Sequence, residues 1–249
     1  MTDLIGKFAI VAGGARDIGQ AVVLELAHRG ADVLFTFHGT PAEGTVAALK
    51  RIERTATPAQ VDGTNSAAIA EFVSRNVARA NRSVDILVNV TGGLVARKRL
   101  DEMDESFWDQ VITLNLKSTF LLTKALLPHF AAKAAIVNFS SQAGRDGGGP
   151  GSLAYATAKG AIMTFTRGLA KELGSRGIRV NAVCPGMINT TFHNTFTKPE
   201  VRQRVAGATP LGREGESQEV AQLVAYLASS GASFVNGACV DINGGIAFS

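Results

Sequence analysis

The chain has little of what marks several large classes of protein. Its 249 residues include only two cysteines, Cys184 and Cys239, too few for a disulfide framework. Both sit in apolar, strand-like segments where reduced thiols are expected. No apolar run approaches the ~18 residues that a membrane span requires. The N-terminus leads directly into a strand with no cleavable signal pattern, so a soluble, cytoplasmic protein with no membrane partner is expected. Charge of one sign is barely in excess, with 25 Lys and Arg against 21 Asp and Glu. The one tight basic run, Arg97-Lys98-Arg99, is followed by Asp101, Glu102, Asp104 and Glu105. That reads as a solvated loop and helix start, and nucleic-acid binding is not expected. No metal site is expected either, and no linker, repeat or low-complexity segment divides the chain.

What is present is a 46% hydrophobic composition, ample for one large core, arranged as alternating strands and helices. Apolar runs read as strands at Phe8–Ala12, Val33–Phe37, Ala59–Val61, Val84–Val90, Ala135–Phe139, Ile178–Val183 and Ala238–Ile242. Helical periods fall after residue 17, over Ala42–Glu53, from Ser66 to about Ala80, from about Glu105, over Ser152–Lys159 and beyond, and over Gln218–Ser229. Seven strands too apolar to face water, alternating with helices, predict a single α/β domain: a Rossmann-type, doubly wound parallel sheet with helices on both faces.

Chemistry concentrates between Ala135 and Lys159. The strand Ala135-Ile-Val-Asn-Phe delivers Ser141 to its C-terminal end, and the following helix carries Tyr155 and Lys159. Four residues apart on a helix, these two side chains share a face. A free phenol has a pKa near ~10, and a cation within ~4–6 Å lowers an acid's pKa by roughly 1–3 units. Lys159 is therefore expected to make Tyr155 a usable proton donor and acceptor near neutrality, with the Ser141 hydroxyl holding a carbonyl oxygen. Taken alone, the pair reads more readily as a helix-surface contact; the rest of the chain decides.

The first strand runs into Gly13-Gly14-Ala15-Arg16-Asp17-Ile18-Gly19 and then a helix. Glycine admits close approach of a pyrophosphate, and the helix N-terminus offers unpaired N–H groups and a positive dipole. With this turn, Asn89-Val-Thr91-Gly92, Asn115 in Thr-Leu-Asn-Leu, Ser141, Tyr155-x-x-x-Lys159, Pro185-Gly186-Met-Ile188-Asn-Thr190 and Val240-Asp-Ile-Asn-Gly-Gly245, nearly the whole chain resembles the short-chain dehydrogenase/reductase family, of the type that includes 3-oxoacyl-carrier-protein reductases.

The resemblance implies a catalytic tetrad of Asn115, Ser141, Tyr155 and Lys159. In it Tyr155 protonates the substrate oxygen, Ser141 binds that oxygen, Lys159 also bonds the nicotinamide ribose, and Asn115 holds a water linking Lys159 to solvent. It implies cofactor contacts at Gly13, Arg16, Asp17, Ile18 and Gly19, at Asn89, Thr91 and Gly92 beside the central strand, and at Pro185, Gly186, Ile188 and Thr190 around the carboxamide. Asp62, with Gly63, is expected at the adenine, and Asn89 is expected to act more as support than as catalyst. Asp17 stands where the family usually has glycine. A carboxylate facing pyrophosphate would be repelled, so it is expected to turn away and cap the helix that follows.

The second strand ends Phe37-His38-Gly39 without the acid that an NAD site usually offers. NADP(H) is therefore the expected cofactor, with Arg16 and His38 near the 2′-phosphate, and NAD(H) the alternative. Substrate is less legible. Residues 187–213 are long for a loop, broken by Pro199 and Pro210, and read as a lid. Met187 and Phe192, with Leu94 and Gln142, are expected to shape the pocket beside Ser141 and Tyr155, while His193 reads as a surface residue. Three functions follow: a reductase of a ketone or of a carrier-protein or CoA 3-oxoacyl thioester, an NAD-dependent alcohol or polyol dehydrogenase, and a nucleotide-sensing protein without activity. The resemblance also implies a homotetramer, with Phe248 in a subunit contact or in the core.

Overall fold

The alternation of strand and helix begins with β1 (Phe8–Ala12), which is buried at all five positions. In a computed structural model describing residues 3–248, it leads through the glycine-rich turn to α1 (Asp17–His28), then β2 (Asp32–Phe37), α2 (Glu43–Arg51), β3 (Ala56–Gln60) and α3 (Ser66–Val73). β4 (Val84–Asn89), α4 (Glu105–Ile112), α5 (Ser118–Leu126) and β5 (Phe130–Phe139) follow. A short α6 (Ala143–Asp146) precedes the long α7 (Leu153–Leu173) and β6 (Arg179–Pro185). The chain closes with α8 (Thr191–Phe196), α9 (Pro199–Ala208), α10 (Ser217–Ala228) and β7 (Cys239–Ile242).

The seven strands form one parallel sheet in the order β3-β2-β1-β4-β5-β6-β7. The side chains of β1 show how two cores arise from one strand, because successive residues point to opposite faces. Ala9 and Val11 pack with Val22 and Leu26 of α1 and Val224 of α10. Phe8, Ile10 and Ala12 pack with Ile69 and Phe72 of α3, Leu122 and Leu126 of α5, and Leu173 of α7. α3 and α4 start where polar side chains take their free N–H groups. Asn65 Oδ1 accepts from Ala67 and Ala68 before α3, and Asp104 Oδ1 accepts from Phe107 in α4.

The expected fold is the observed one, with three local differences. β3 starts three residues and ends one residue earlier than the sequence suggests, running through Pro58; it is an edge strand, where a missing N–H is tolerated. β5 begins at Phe130 and reaches register with β4 only after an irregularity between Val84 and Ile86. The segment read as a loop broken by prolines holds two helices: Pro199 is the first residue of α9, where its lack of an N–H costs nothing.

From β1 the chain winds outward to β3 and then crosses to β4 on the other side. The C-terminal ends of β1 and β4 therefore open a crevice at the point where the winding reverses, the usual place for a ligand in such sheets.

Candidate active site

A cavity of roughly 1200 Å³ occupies that crevice and is lined by every residue expected in the site except Asn115. Its floor is the turn after β1. Gly13 there has φ +86, and a Cβ at Gly19 would lie 1.9 Å from the Gly13 carbonyl oxygen, so the turn closes on α1 only with glycine at position 19. No side chain caps α1, which leaves first-turn N–H groups beside Ile18 and Gly19 free to meet an anion. This corrects the expectation for Asp17. It is the first residue of α1, with φ +49, and its Oδ1 accepts from the N–H and the hydroxyl of Thr191, 3.0 Å each. The carboxylate reaches across the cavity's wall to α8 instead of returning to its own helix.

One end of the cavity is formed by Arg16, His38, Asp62 and Gly63. Arg16 is exposed, its Nε 3.8 Å from Asp17 Oδ2. Asp62 accepts from the N–H and hydroxyl of Thr64 at 2.8 and 2.6 Å, and these bonds hold its carboxyl below the usual range. β2 brings no acid to this end. The middle is walled by Asn89, Thr91 and Gly92. Asn89 Nδ2 donates to Asn138 Oδ1, its register partner on β5, and to Thr123, and Asn138 Nδ2 donates to Thr166. Two strands and two helices are thereby tied through a buried polar chain, in keeping with a supporting role. Asn89 Oδ1 is buried without a partner.

The other end holds the reactive groups. Tyr155 is half-buried, opening onto the cavity, with the Ser141 hydroxyl beside its phenol. Burial raises the Tyr155 pKa above its ordinary value of 10, and the Ser141 hydrogen bond pulls it partway back. This differs from the sequence expectation of a phenol made acidic by Lys159. The Lys159 Nζ lies 5.7 Å from the Tyr155 ring centroid and donates to the Phe139 carbonyl at 2.8 Å. Burial, the same agent, brings the Lys159 pKa down to about 8. Desolvation acts on both groups, disfavouring the charged form of each. The Ser140 hydroxyl donates to the Lys159 carbonyl at 2.7 Å, so the end of β5 grips this lysine at both its backbone and its ammonium.

Asn115 sits behind this wall, fully buried, in a π-helical turn (Thr113–Lys117) between α4 and α5. Such turns release carbonyls from the helical ladder, and side chains take them: Asn115 Nδ2 bonds Val111, and Ser118 bonds Leu114. Asn115 also clamps Gly93 in both directions, donating to its carbonyl at 2.8 Å and accepting its N–H at 2.9 Å. A Cβ at Gly92 would stand 2.6 Å from Asn115 Oδ1 and 2.9 Å from Lys159 Nζ. Asn115 and Lys159 therefore converge on Gly92, where a side chain would have no room.

Pro185, Gly186, Met187, Ile188 and Thr190 continue the wall from β6. Gln142 donates to Asp146 at 3.0 Å, Leu94 is buried, and Phe192 packs on Tyr155 with centroids 5.8 Å apart. His193 is half-buried, not a surface residue; burial lowers its pKa to about 4, and Nδ1 lies 3.0 Å from Thr197 Oγ1.

Two contributors escaped the sequence. Arg97, read as part of a solvated run, lines the cavity and donates to the Phe196 carbonyl at 2.9 Å and to Pro150 at 2.8 Å. Val95 has φ +65, rare for a β-branched residue, inside a tight turn closed by the Ala96 N–H on Leu94 at 2.8 Å. Nothing in a run of charges or in a lone valine signals either role. Phe248, placed at a subunit contact or in the core from the sequence, is 89% exposed in the chain.

The fold and this cavity match a class of oxidoreductases. The family model adh_short_C2, described as enoyl-(acyl carrier protein) reductase, matches residues 13–247, and the chain belongs to the short-chain dehydrogenase/reductase family, whose members act on CH–OH donors with NAD(P). It is 37% identical to the 3-oxoacyl-acyl-carrier-protein reductase FabG of Pseudomonas aeruginosa over 98% of both chains. It is 35% identical to FabG of Escherichia coli over 97% of both. Among solved structures it superposes on a short-chain dehydrogenase/reductase of Serratia marcescens with a TM-score of 0.91 and 31% identity, covering 98% of this chain and 99% of that one. A blue fluorescent protein from a metagenomic library, solved in complex with NADPH, gives a TM-score of 0.90 and 32% identity over 99% of this chain and all of that one. No helix among the described residues is long and apolar enough to cross a membrane.

Proposed function

We propose that the protein is an NADP(H)-dependent reductase that converts a ketone or 3-oxoacyl thioester to a secondary alcohol, with Tyr155 as proton donor. The observation that carries this reading is the meeting of the Ser141 hydroxyl, the Tyr155 phenol and the buried Lys159 at one end of a cavity whose other end is a glycine-rich phosphate turn. A nicotinamide held in this cavity would supply hydride to the carbonyl carbon. Ser141 donates a hydrogen bond to the carbonyl oxygen, and Tyr155 gives that oxygen its proton. A phenol held above its ordinary pKa arrives protonated, and an alkoxide is a far stronger base than a phenolate, so the transfer runs downhill. The phenolate left behind has the Lys159 ammonium 5.7 Å from its ring centroid, and at pH 7 a lysine with a pKa of about 8 is still mostly charged.

Arg16 and His38 favour NADP(H) because they bring basic groups, and β2 no acid, to the end of the cavity away from Tyr155. Gly13, Ile18 and Gly19 would hold the pyrophosphate, with Asp62 and Gly63 at the adenine. Lys159 would hold the nicotinamide ribose beside Asn89, Thr91 and Gly92, and Pro185, Gly186, Ile188 and Thr190 would hold the carboxamide. Residues 187–213 form a lid: Phe192 covers Tyr155, and Leu94, Phe192, Phe196 and Val201 give the pocket an apolar lining suited to an acyl chain. The relatives named as 3-oxoacyl-acyl-carrier-protein reductases support a thioester substrate delivered by a carrier protein or CoA. The test is loss of absorbance at 340 nm with NADPH or NADH and a panel of acetoacetyl thioesters, diketones, aldehydes and sugars. Turnover of acetoacetyl thioesters or diketones with NADPH preferred is expected; no turnover with any of them overturns the reading.

A further inference from the structure

Asp17 is a charged side chain in the cofactor turn that the chemistry above leaves unused. Its backbone is in the left-handed region, φ +49, which an aspartate tolerates at some cost and a glycine at none. What the carboxylate gains lies 174 residues along the chain: Oδ1 takes both the N–H and the hydroxyl of Thr191. Thr191 opens α8, and the next residue is Phe192, whose ring lies over Tyr155. A single oxygen therefore joins the phosphate turn to the side chain that covers the phenol.

The rest of α8 shows why this tie matters. The helix is six residues long and has no buried residue, so it is not held by the core. Besides the packing of Phe192 on Tyr155, its other fastenings are polar and lie toward its C-terminal end, where Arg97 donates to Phe196 O at 2.9 Å and Arg202 bonds Asn194. Arg202 is in turn fixed by Glu214 and by Asn189. Ahead of the helix, Ile188 and Thr190 are buried and the Asn189 N–H donates to Gly215 O at 2.8 Å; at Thr191 itself the partner from outside α8 is Asp17.

We propose that Asp17 is a positioning residue of this enzyme: its carboxylate clasps the start of α8 and so holds Phe192 over Tyr155, closing the reacting end of the cavity around the carbonyl substrate. The proposal rests on the reading of Tyr155 as proton donor and of residues 187–213 as a lid. A glycine at position 17 satisfies the turn but leaves Thr191 untied. Asparagine keeps the accepting Oδ1 and restores the tie without the charge.

The experiment compares wild type with Asp17→Gly, Asp17→Asn and Thr191→Val. Three quantities are measured: amide hydrogen exchange of residues 191–196, the NADPH dissociation constant by calorimetry, and kcat and KM for acetoacetyl-CoA. Asp17→Gly relieves the φ strain, so loss of fold does not confound it. In Asp17→Gly, exchange at Thr191 is expected to rise by about tenfold or more, the scale of a lost hydrogen bond to a charged acceptor. KM is expected to rise about fivefold or more on the same grounds, with NADPH affinity within about twofold. Asp17→Asn should sit close to wild type, and Thr191→Val, which keeps the N–H, between the two. Unchanged exchange in Asp17→Gly, faster exchange with unchanged KM, or an Asp17→Asn variant as impaired as Asp17→Gly would each overturn the proposal. So would a change confined to NADPH affinity. If wild type reduces no ketone, the functional reading fails, and the exchange data still decide whether the clasp exists.

Discussion

The ammonium of Lys159 donates to the carbonyl oxygen of Phe139 at 2.8 Å, the last residue of the strand that carries Ser141 to the site. This bond fixes the lysine in a water-poor wall, and burial there lowers its pKa to about 8. The sign follows: below pH 8 the group is charged and able to donate, and as pH rises through 8 it is lost as a cation.

The pH profile should report this. The ratio kcat/KM for NADPH, which reflects the free enzyme, is expected to fall tenfold per pH unit above about 8, on a single-proton slope. His193, with its pKa lowered to about 4, is neutral across the neutral range and is not expected to contribute an ionisation between pH 5.5 and 7.5. Lys159→Arg, whose guanidinium does not titrate in this range, should remove the limb near 8 whatever activity it retains.

Arg16 is the cation available to a 2′-phosphate at the end of a strand that brings no acid. Arg16→Ala is expected to reduce the preference for NADPH over NADH by about 10- to 100-fold, the scale of a charge-assisted hydrogen bond. Parallel kcat/KM measurements with the two cofactors provide the check. An unchanged ratio would place the discrimination elsewhere.

α6, directly after Ser141, is pinned to β7 by Arg145, which donates to Asp241 Oδ1 and to the Cys239 carbonyl, each at 2.6 Å. Both charged side chains are 17% exposed, so removing one leaves the other largely buried and alone. Asp241→Ala is expected to cost about 3 kcal/mol of stability in urea unfolding, the low end for a broken buried pair. Behind this pair, Cys184 is fully buried with its thiol pushed up to about 11. It should resist iodoacetamide at pH 8 in the native protein and react on unfolding.

The fold was legible because β1, β4, β5 and β6 are apolar on both faces and separated by helical periods; position in the sheet then follows from connection rules. The Tyr155–Lys159 pairing was legible because the two residues are one helical turn apart, and local spacing survives folding. Contacts between distant segments were not legible. Asp17 is 174 residues from Thr191 and Arg97 is 99 from Phe196, and no local pattern marks either pair. The direction of the Tyr155 pKa was missed for a related reason. Spacing shows that an ammonium is near, but desolvation depends on what the rest of the chain packs around both groups.

The central claim is that the Tyr155 phenol delivers the proton to a carbonyl oxygen while Ser141 holds it. The most direct measurement is the rate of acetoacetyl-CoA reduction by Tyr155→Phe at saturating NADPH, alongside its NADPH dissociation constant. The account predicts a fall in kcat of about 10²- to 10⁴-fold, the usual worth of a positioned general acid, with cofactor affinity within about twofold of wild type. A Tyr155→Phe variant that binds NADPH and turns over at the wild-type rate would contradict it.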